Sequence, residues 1–388
     1  MRLSTLLSAV PGLHSQAGNA DPEITRVTAD SRQVVPGTLF VAIHGDNVDG
    51  HRFIPDALAR GAAVVVAEGE LSFPFARGSA SEGIYLAVPD ARAALGWLSA
   101  VWHGFPSRRL VLIGVTGTDG KTTTASLIYA ILRAAGLKAG LISTVNAVVG
   151  DETLDTGFHV TTPDAPEIQS YLARMVKAGL THCVLEVTSH GLAQRRVTGC
   201  DFDVAVVTNV THEHLDYHKT YESYLAAKGR LFEMLSDSAR KPGIAKAGVL
   251  NFDDSSYDYL ASVLHEARLA YSLNAPPDHS MAPSPNVWAS EVLDSPSSLA
   301  FRAVGENFDF SVTTALVGRF NVSNCLAAIT ATVGALGLPP EAAQKGLADF
   351  AGVPGRMERI DLGQPFTALV DFAHTPTPSS ARLKAPEG

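Results

Sequence analysis

Short apolar runs alternate with amphipathic segments along most of the chain. From residue 110 onward, apolar runs predict strands at 110–115, 138–145, 182–187, 204–210 and 248–251. Apolar residues at helical spacing predict helices at 125–135, 167–178, 221–235, 322–336 and 341–350. Strands that alternate with helices in this way predict an α/β fold with a mostly parallel sheet and helices on both faces.

A smaller α/β region precedes this pattern. Apolar runs predict strands at 37–43 and 62–67, with a helix at 52–60 between them and a short helix within 3–13. Turn residues at 105–109 and 353–357 predict two boundaries, and 274–298 is rich in Pro, Ser and Asn, which predicts a loop with short strands. We therefore expect domains over 1–106 and 107–354, with residues 355–388 beyond them.

Composition narrows the class of protein. Of the 388 residues, 46% are hydrophobic and 18% charged, enough to fill two or three cores. No apolar run has the length of a membrane span, and the net charge of -9 argues against a general nucleic-acid surface. Cys183, Cys200 and Cys325 are scattered through apolar runs, so we expect buried free thiols and a reducing, cytoplasmic location.

The strand at 110–115 leads into a glycine-rich loop that predicts a phosphate-binding site. Gly117 and Gly120 allow backbone amides to converge on phosphate oxygens, and the following helix adds its positive N-terminus. Lys121 is placed to contact the terminal phosphates and Thr122 to hold Mg²⁺. The match to the phosphate-loop pattern is imperfect because Val115 stands at the first glycine position. The context of strand, loop and helix favours a nucleotide site over an ordinary turn.

Further polar clusters follow two predicted strands. Glu186 ends the strand at 182–187, and the strand at 204–210 is followed by His212, Glu213, His214, Asp216 and His218. A carboxylate and an imidazole at neighbouring strand ends suit a hard cation that bridges phosphates and protein, although surface loop histidines are the simpler interpretation. The spacing disfavours zinc. Lys228 lies on an apolar helix face, which by itself predicts a surface lysine with a packed stem.

Seven motifs in order resemble the Mur ligase family. They are GVTGTDGKTTT at 114–124, EVTSHGL at 186–192, HLDYH at 214–218, AAK at 226–228, GRFNVSN at 318–324, PGRME at 354–358 and DFAHTP at 371–376. Asp30-Ser31-Arg32 and the Thr161-Thr162 pair most resemble the MurE branch. The resemblance spans about 25–374. It implies an ATP-dependent ligase that adds a diamino acid to UDP-N-acetylmuramoyl-L-alanyl-D-glutamate through an acyl phosphate in peptidoglycan synthesis.

The resemblance also implies roles for individual residues. Ser31 would lie in a uridine pocket that Asp46, Asn47 and Val48 close. The residues that would hold the muramoyl dipeptide are Thr161, Thr162, Thr188, Gln194 and Arg196, and the arginine would pair with an acidic group of the substrate. The residues that would contact ATP are Gly117, Thr118, Asp119, Gly120, Lys121, Thr122, Thr123 and Asn321, with Asn324 also near adenine.

Mg²⁺ is the second cofactor that the resemblance implies. Thr122 and Glu186 would bind it, His214 would serve a second metal position, and Lys228 would act as a carbamate ligand. Lys121, Glu186, His214 and Lys228 thus form the expected catalytic set, and catalysis would rest on neutralising phosphate charge. The expected partners are the UDP-N-acetylmuramoyl dipeptide and an amino acid, bound by a monomer with no nucleic acid and no membrane span.

Two features depart from the family pattern. Asp119 replaces the usual Asn, so we expect nucleotide binding to depend more strongly on Mg²⁺. After residue 376 the sequence becomes short and rich in Pro and Ser where relatives continue through a further domain, so we expect residues 355–388 to be a remnant of that domain and ligation to be impaired. A non-catalytic nucleotide-binding or scaffold protein and a folylpolyglutamate synthase-like ligase remain alternative functions.

Overall fold

A computed structural model describes residues 1–8, 10, 20–45, 48–69, 83–154, 162–276, 284–360, 362–364, 366 and 368–372. The chain divides into two compact units. The first contains Met1–Ser107, Pro163–Ala173 and Ala193–Cys200, and the second contains Arg108–Thr162, Arg174–Leu192 and Asp201–Gly388. Two segments that the sequence places in the central domain therefore belong to the first unit. Asp46, Asn47 and Thr161 lie outside the described residues.

The first unit is an α/β sandwich. Its described residues form a four-stranded parallel sheet with the order β1 (Arg26–Thr28), β2 (Thr38–Val41), β3 (Ala62–Glu68) and β4 (Ile84–Val88). Leu39 packs with α1 (Leu3–Ser8) and α3 (Ala91–Trp102), while Phe40 packs on the opposite face with α2 (Ile54–Ala59). Both faces of the sheet are covered because successive side chains of a strand point to opposite sides.

The described residues of the second unit contain an eleven-stranded sheet with the strand order β15-β14-β13-β12-β11-β10-β5-β9-β6-β7-β8. The strands are β5 (Val111–Thr116), β6 (Ala139–Ile142), β7 (Ala147–Val149), β8 (Glu152–Leu154), β9 (His182–Glu186), β10 (Val204–Val207), β11 (Ala247–Asn251), β12 (Ala267–Ser272), β13 (Val287–Asp294), β14 (Leu299–Gly305) and β15 (Phe308–Thr314). Pairing is parallel from β6 to β13 and antiparallel at both ends, which confirms the predicted mostly parallel sheet. The prediction of short strands within 274–298 is wrong for β13, which has eight residues.

Helices flank this sheet, and a small hairpin follows it. After α3 come α4 (Lys121–Ala134) of the second unit and α5 (Ala165–Lys177), most of which belongs to the first unit. The later helices, which lie in the second unit except for Ala193, are α6 (Ser189–Ala193), α7 (Leu215–His218), α8 (Tyr221–Asp237), α9 (Tyr257–Val263), α10 (Phe320–Ile329) and α11 (Pro340–Ala348). The hairpin pairs β16 (Glu358–Ile360) with β17 (Ala368–Val370). The helix predicted at 322–336 is continuous, but its second half, Thr330–Ala335, is a π-helix. Leu127, Ile131 and Leu326 help to fill the core between α4 and α10.

Cys183, Cys200 and Cys325 are buried and take part in no disulfide bond, as the sequence predicts. Burial raises the pKa of the Cys325 thiol to about 12, which keeps it protonated and unreactive. Within the described ranges, no helix is both long and apolar enough to cross a membrane.

Candidate functional site

The glycine-rich loop joins the end of β5 to the start of α4. Gly117 has a φ of 143° and Gly120 a φ of 79°, and Lys121 is the first residue of α4. Asn209, just after β10, fixes the loop: its backbone oxygen accepts from Thr118 N at 2.7 Å and its Oδ1 accepts from Asp119 N at 3.0 Å. The end of a neighbouring strand therefore holds the loop that the sequence predicts to bind phosphate.

Gly117→Ala is expected to disturb this loop more than an ordinary glycine substitution. A Cβ at Gly117 would clash with the Thr208 side chain, in addition to the strain of a positive φ. We expect a loss of about 1–3 kcal/mol in the free energy of unfolding, together with weakened ATP binding. Urea denaturation and a titration with a fluorescent ATP analogue measure the two effects.

Gly136→Ala is the matched control for Gly117→Ala. Gly136 follows the same helix at a φ of 78°, but a Cβ there meets nothing within 4 Å. We expect about 1 kcal/mol of strain and unchanged ATP affinity. Equal ATP affinities for the two variants would show that the close approach of Gly117 to Thr208 does not shape the phosphate site.

A cavity of about 630 Å³ opens over this loop, within the second unit. Its volume falls in the range typical of small-molecule sites. The residues assigned to ATP or metal from sequence that line it are Thr118, Asp119, Gly120, Lys121, Thr122, Thr123, Glu186, His214, Asn321 and Asn324. Thr188, assigned to the dipeptide, lines it too. The structure thus brings together side chains that are up to 206 positions apart in sequence, from Thr118 to Asn324.

Glu186 is a buried carboxylate at the end of β9. Its Oε1 accepts from Thr122 Oγ1 at 3.1 Å, and its Oε2 accepts from Thr144 N and Thr144 Oγ1, both at 2.9 Å. The first pair places a carboxylate oxygen and a hydroxyl oxygen side by side at the phosphate loop. Hard cations take oxygen ligands of this kind, so Thr122 and Glu186 fit the Mg²⁺ that the resemblance implies.

Lys228 is a core residue, so the prediction of a surface lysine is wrong. Its side chain is 1% exposed, and its Nζ donates to the Gly117 carbonyl at 2.5 Å and lies 4.4 Å from the centre of the Tyr224 ring. Burial, reinforced by the positive charge of Lys121, lowers the pKa of Lys228 well below its usual value. Tyr224, Leu231 and Phe232 share its helix face and are buried, so this face of α8 packs into the core.

His214 stands in a cluster of aromatic rings beside the cavity. It precedes α7 with a φ of 55°, and its ring lies 4.8 Å from that of His190. His218 lies 5.4 Å from His190 and 5.3 Å from Tyr224. Burial and neighbouring positive charge lower the pKa of His218 to about 4, and burial also lowers the pKa of His214. Both imidazoles are therefore neutral at pH 7, the form that ligates metals.

Two buried asparagines border the cavity from α10. Asn321 Nδ2 donates to the Val317 carbonyl at 2.8 Å, and Asn324 Nδ2 donates to Asn321 Oδ1 at 2.9 Å. Asn324 Oδ1 in turn accepts from Thr124 Oγ1 of α4 at 3.3 Å. This chain fixes both side-chain amides next to the phosphate loop, where one edge of a base could be recognised by hydrogen bonds.

The residues assigned to the dipeptide belong to both units. In the second unit, the Thr162 and Thr188 hydroxyls lie 3.0 Å apart, and Thr188 Oγ1 accepts from Gly191 N at 3.0 Å. In the first unit, Gln194 Oε1 accepts from Arg196 Nε at 3.0 Å and from Arg196 Nη2 at 2.7 Å. A buried amide therefore orients the Arg196 guanidinium.

The two described residues assigned to the uridine pocket lie in the first unit. Ser31 is buried and opens the 3₁₀-helix Ser31–Gln33, which the Asp30 side chain caps by accepting from Arg32 N. Val48 is 50% exposed, and its carbonyl accepts from Gly45 N at 3.1 Å.

The cavity also contains residues to which no role was given from sequence. Arg356, Met357, Asp371 and Phe372 line it, and Asp371 Oδ1 accepts from Met357 N at 3.2 Å. Leu273, Leu316 and Phe320 supply an apolar wall. Arg356, Met357, Asp371 and Phe372 lie in the motifs at 354–358 and 371–376, and the order of these motifs was the sequence signal that could have placed them at the site. Of the apolar wall, Phe320 lies in the motif at 318–324, whereas Leu273 and Leu316 lie outside all of the motifs.

Comparisons with known proteins agree with this architecture. Residues 23–103 match the family model "Mur ligase family, catalytic domain", and residues 115–332 match "Mur ligase middle domain". A UDP-N-acetylmuramoyl-L-alanyl-D-glutamate--2,6-diaminopimelate ligase of Geobacillus thermodenitrificans is 41% identical over 386 residues, which is 99% of this chain and 74% of that protein. A UDP-N-acetylmuramyl-tripeptide synthetase of Roseiflexus sp. is 44% identical over 368 residues, 92% of this chain and 69% of that protein.

A solved structure gives the same result. A UDP-N-acetylmuramoyl-L-alanyl-D-glutamate--2,6-diaminopimelate ligase superposes with a TM-score of 0.74 at 31% identity. The superposition covers 91% of this chain and 68% of that one. The sequence and the structure thus lead to the same family of relatives.

Proposed function

The chain belongs to the Mur ligase family, whose members here are ATP-dependent ligases, and we propose that it adds a diamino acid to UDP-N-acetylmuramoyl-L-alanyl-D-glutamate as a MurE-type enzyme of peptidoglycan synthesis. The observation that carries the proposal is that Lys121, Glu186, His214 and Asn321 all line the same cavity. We further propose that the protein acts as a cytoplasmic monomer, with a uridine-binding domain at 1–106 and an ATP-binding domain at 107–354.

The chemistry that this cavity serves begins with two anions. The substrate carboxylate attacks the γ-phosphorus of ATP, the bond to the β,γ-bridging oxygen breaks, and an acyl phosphate and ADP form. The amine of the diamino acid then attacks the acyl carbon, phosphate leaves, and the nitrogen loses a proton. Lys121 and the amides of the phosphate loop offset the repulsion between the anions. Mg²⁺, held by Thr122 and Glu186 with His214 at a second position, would supply further positive charge.

Lys228 takes a different role from Lys121 in this proposal. Burial and the positive charge of Lys121 favour the neutral, nucleophilic amine of Lys228, which can add to CO₂ and lose a proton to give a carbamate. The carbamate is an anion with two ligand oxygens. Near His214, such an anion would attract the metal ions that an ammonium repels.

Thr162, Thr188, Gln194 and Arg196 are assigned to the peptide end of the substrate. Thr161 is assigned to it as well, from the family resemblance alone. Gln194 fixes a guanidinium that suits the D-glutamyl carboxylate, since such groups pair with two parallel hydrogen bonds. Ser31 and Val48 are assigned to uridine, with Asp46 and Asn47. UDP-N-acetylmuramoyl-L-alanyl-D-glutamate would not suit a folylpolyglutamate synthase-like ligase. A scaffold protein would need neither ATP nor this uridine nucleotide.

Arg196→Met is expected to weaken the binding of UDP-N-acetylmuramoyl-L-alanyl-D-glutamate about 10- to 100-fold. The loss corresponds to the roughly 1.5–3 kcal/mol of a hydrogen bond to a charged group. The analogue without D-glutamate, UDP-N-acetylmuramoyl-L-alanine, should bind the variant and the wild type equally. Isothermal titration calorimetry measures all four affinities.

Arg195→Met is the matched control, because Arg195 is the adjacent arginine and its exposed side chain pairs with Asp90 at 3.3 Å. It should leave both affinities unchanged. Absence of binding of either uridine nucleotide to the wild type would overturn the proposed substrate. Equal loss for both ligands in Arg196→Met would overturn the role of Arg196 while leaving the substrate in place.

A further inference from the structure

A second group of metal-ligating side chains lies in the first unit, between β2 and α2. His44 and His51 stack with ring centres 4.1 Å apart at an interplanar angle of 25°, and both rings face Asp49. His44 Nδ1 lies 3.1 Å from Asp49 Oδ1, and His51 Nδ1 lies 2.8 Å from the same oxygen. No motif used above includes the two histidines.

The backbone fixes this arrangement. Gly50 N donates to the Ile43 carbonyl at 2.8 Å, and His44 forms an antiparallel bridge with Asp49. Asp49 also precedes the 3₁₀-helix Gly50–Phe53, which contains His51. The three side chains are therefore held together before any ion binds, which lowers the cost of forming a site.

Hydrogen bonds alone account poorly for the contacts at Asp49. Its Oδ1 also accepts from His51 N at 2.9 Å, so three nitrogen atoms converge on one oxygen. A carboxylate oxygen has about two favourable acceptor directions. A cation among the two Nδ1 atoms and Oδ1 would use the imidazole lone pairs and remove this crowding.

The distances suit a small transition-metal ion. Zinc bonds of about 2.0–2.1 Å in tetrahedral geometry place ligand atoms roughly 3.3 Å apart, a few tenths of an ångström beyond the two measured Nδ1–Oδ1 distances. The three ligand atoms lie within 4.8 Å of one another. His51 Nε2 is buried and has no hydrogen-bond partner in the described part of the chain, so the Asp49 side is where this ring interacts.

We propose that His44, Asp49 and His51 form a binding site for a divalent transition-metal ion of the Zn²⁺ type. The ligands are Nδ1 of both imidazoles and Oδ1 of Asp49, and the half-exposed His44 leaves one side open to water or an anionic ligand. Imidazole with carboxylate selects Zn²⁺, Co²⁺ or Ni²⁺ over Mg²⁺, which prefers oxygen ligands only. The site is independent of the nucleotide cavity, whose lining residues all belong to the second unit.

Co²⁺ titration in excess Mg²⁺ tests the site, because Mg²⁺ competes for the oxygen ligands of the nucleotide site, and a parallel titration of His214→Ala reports any Co²⁺ that the imidazole there holds. We expect one equivalent of Co²⁺ to give visible absorption that Zn²⁺ abolishes. His44→Ala and His51→Ala should each weaken Co²⁺ binding at least about tenfold, as loss of a ligand should cost no less than loss of an outer partner. His265→Ala is the control, since His265 is an exposed histidine outside the group, and it should bind Co²⁺ like the wild type.

The exposed His44 makes its variant decisive, because His44→Ala should fold even where loss of the more buried His51 perturbs the loop. Far-ultraviolet circular dichroism and unchanged ATP binding verify the fold. Wild-type Co²⁺ affinity in a folded His44→Ala variant would overturn the site. Absence of saturable Co²⁺ binding to the wild type in excess Mg²⁺ would overturn it as well.

Discussion

Lys121→Ala is expected to abolish ATP binding at physiological concentrations. Lys121 is the first residue of α4, beside the loop, and its Nζ donates to the Thr118 carbonyl at 2.7 Å. A phosphate bound in the loop would replace this carbonyl as the partner of the ammonium group. Truncation of one member of a desolvated, hydrogen-bonded charge pair costs roughly 2–5 kcal/mol, or about 30- to 4000-fold in affinity. Titration with a fluorescent ATP analogue in the presence of Mg²⁺ measures this loss.

Lys138→Ala controls for the removal of a positive charge from the same unit, because Lys138 is exposed beyond the end of α4. It should bind the analogue as the wild type does. If Lys121→Ala also retained wild-type affinity, the assignment of this loop to the phosphates would be wrong. Asp119 adds a negative charge at the cavity, so we expect the affinity of the wild type for the ATP analogue to fall when Mg²⁺ is withdrawn.

Lys228→Met is expected to stabilise the fold while it cripples ligation. In CO₂-free buffer, Lys228 binds its proton more weakly in the native state than in the unfolded state, so the unfolding free energy of the wild type rises with pH between the lowered folded-state pKa and the ordinary lysine pKa of about 10.4. The methionine variant lacks this dependence and should gain about 1–3 kcal/mol at pH 7, since an apolar residue replaces a buried polar one. Chemical denaturation at several pH values measures both effects.

The carbamate itself gives the sharper readout. With ¹³C-labelled bicarbonate, the wild type should show a carbamate resonance that is absent from Lys228→Met, and Lys228→Glu should retain part of the metal binding that Lys228→Met loses. Lys246→Met is the control and should keep the carbamate resonance. Lys246 is also buried, but it donates to the Leu235 and Ser238 carbonyls away from the cavity. A resonance that persists in Lys228→Met would exclude the carbamate.

The central strands were predictable because they are buried on both faces. β10 is wholly apolar, β5 is nearly so, and β9 has the apolar centre Cys183–Leu185, as a strand between two helical layers requires. The length of β13 was not predicted from the short strands expected within 274–298, because exposed and polar residues interrupt its apolar ones. β1 was missed because it has only three residues. The π-helix at Thr330–Ala335 depends on packing and leaves no pattern that distinguishes it from an α-helix.

Like the fold, the candidate site was predictable from the sequence only in part. The phosphate loop was readable from its own sequence because glycine and lysine at that spacing carry the mechanism. Lys228 was misplaced from local sequence, since only the fold brings it to Gly117. The motifs assign it a metal-binding role, which stays a prediction. The resemblance to the Mur ligases is confirmed by relatives of which this chain spans 69–74%. The roles of the individual residues remain predictions.

Trapping of the acyl phosphate tests the central claim most directly. The protein, in excess over UDP-N-acetylmuramoyl-L-alanyl-D-glutamate, is incubated with Mg²⁺, ATP and hydroxylamine, which converts an acyl phosphate to a stable hydroxamate detectable by mass spectrometry even when turnover is slow. We predict one hydroxamate per ADP formed, dependent on Mg²⁺ and absent with Lys121→Ala. ATP bound or hydrolysed without any hydroxamate above the Lys121→Ala background would contradict the assignment of this cavity to carboxylate activation.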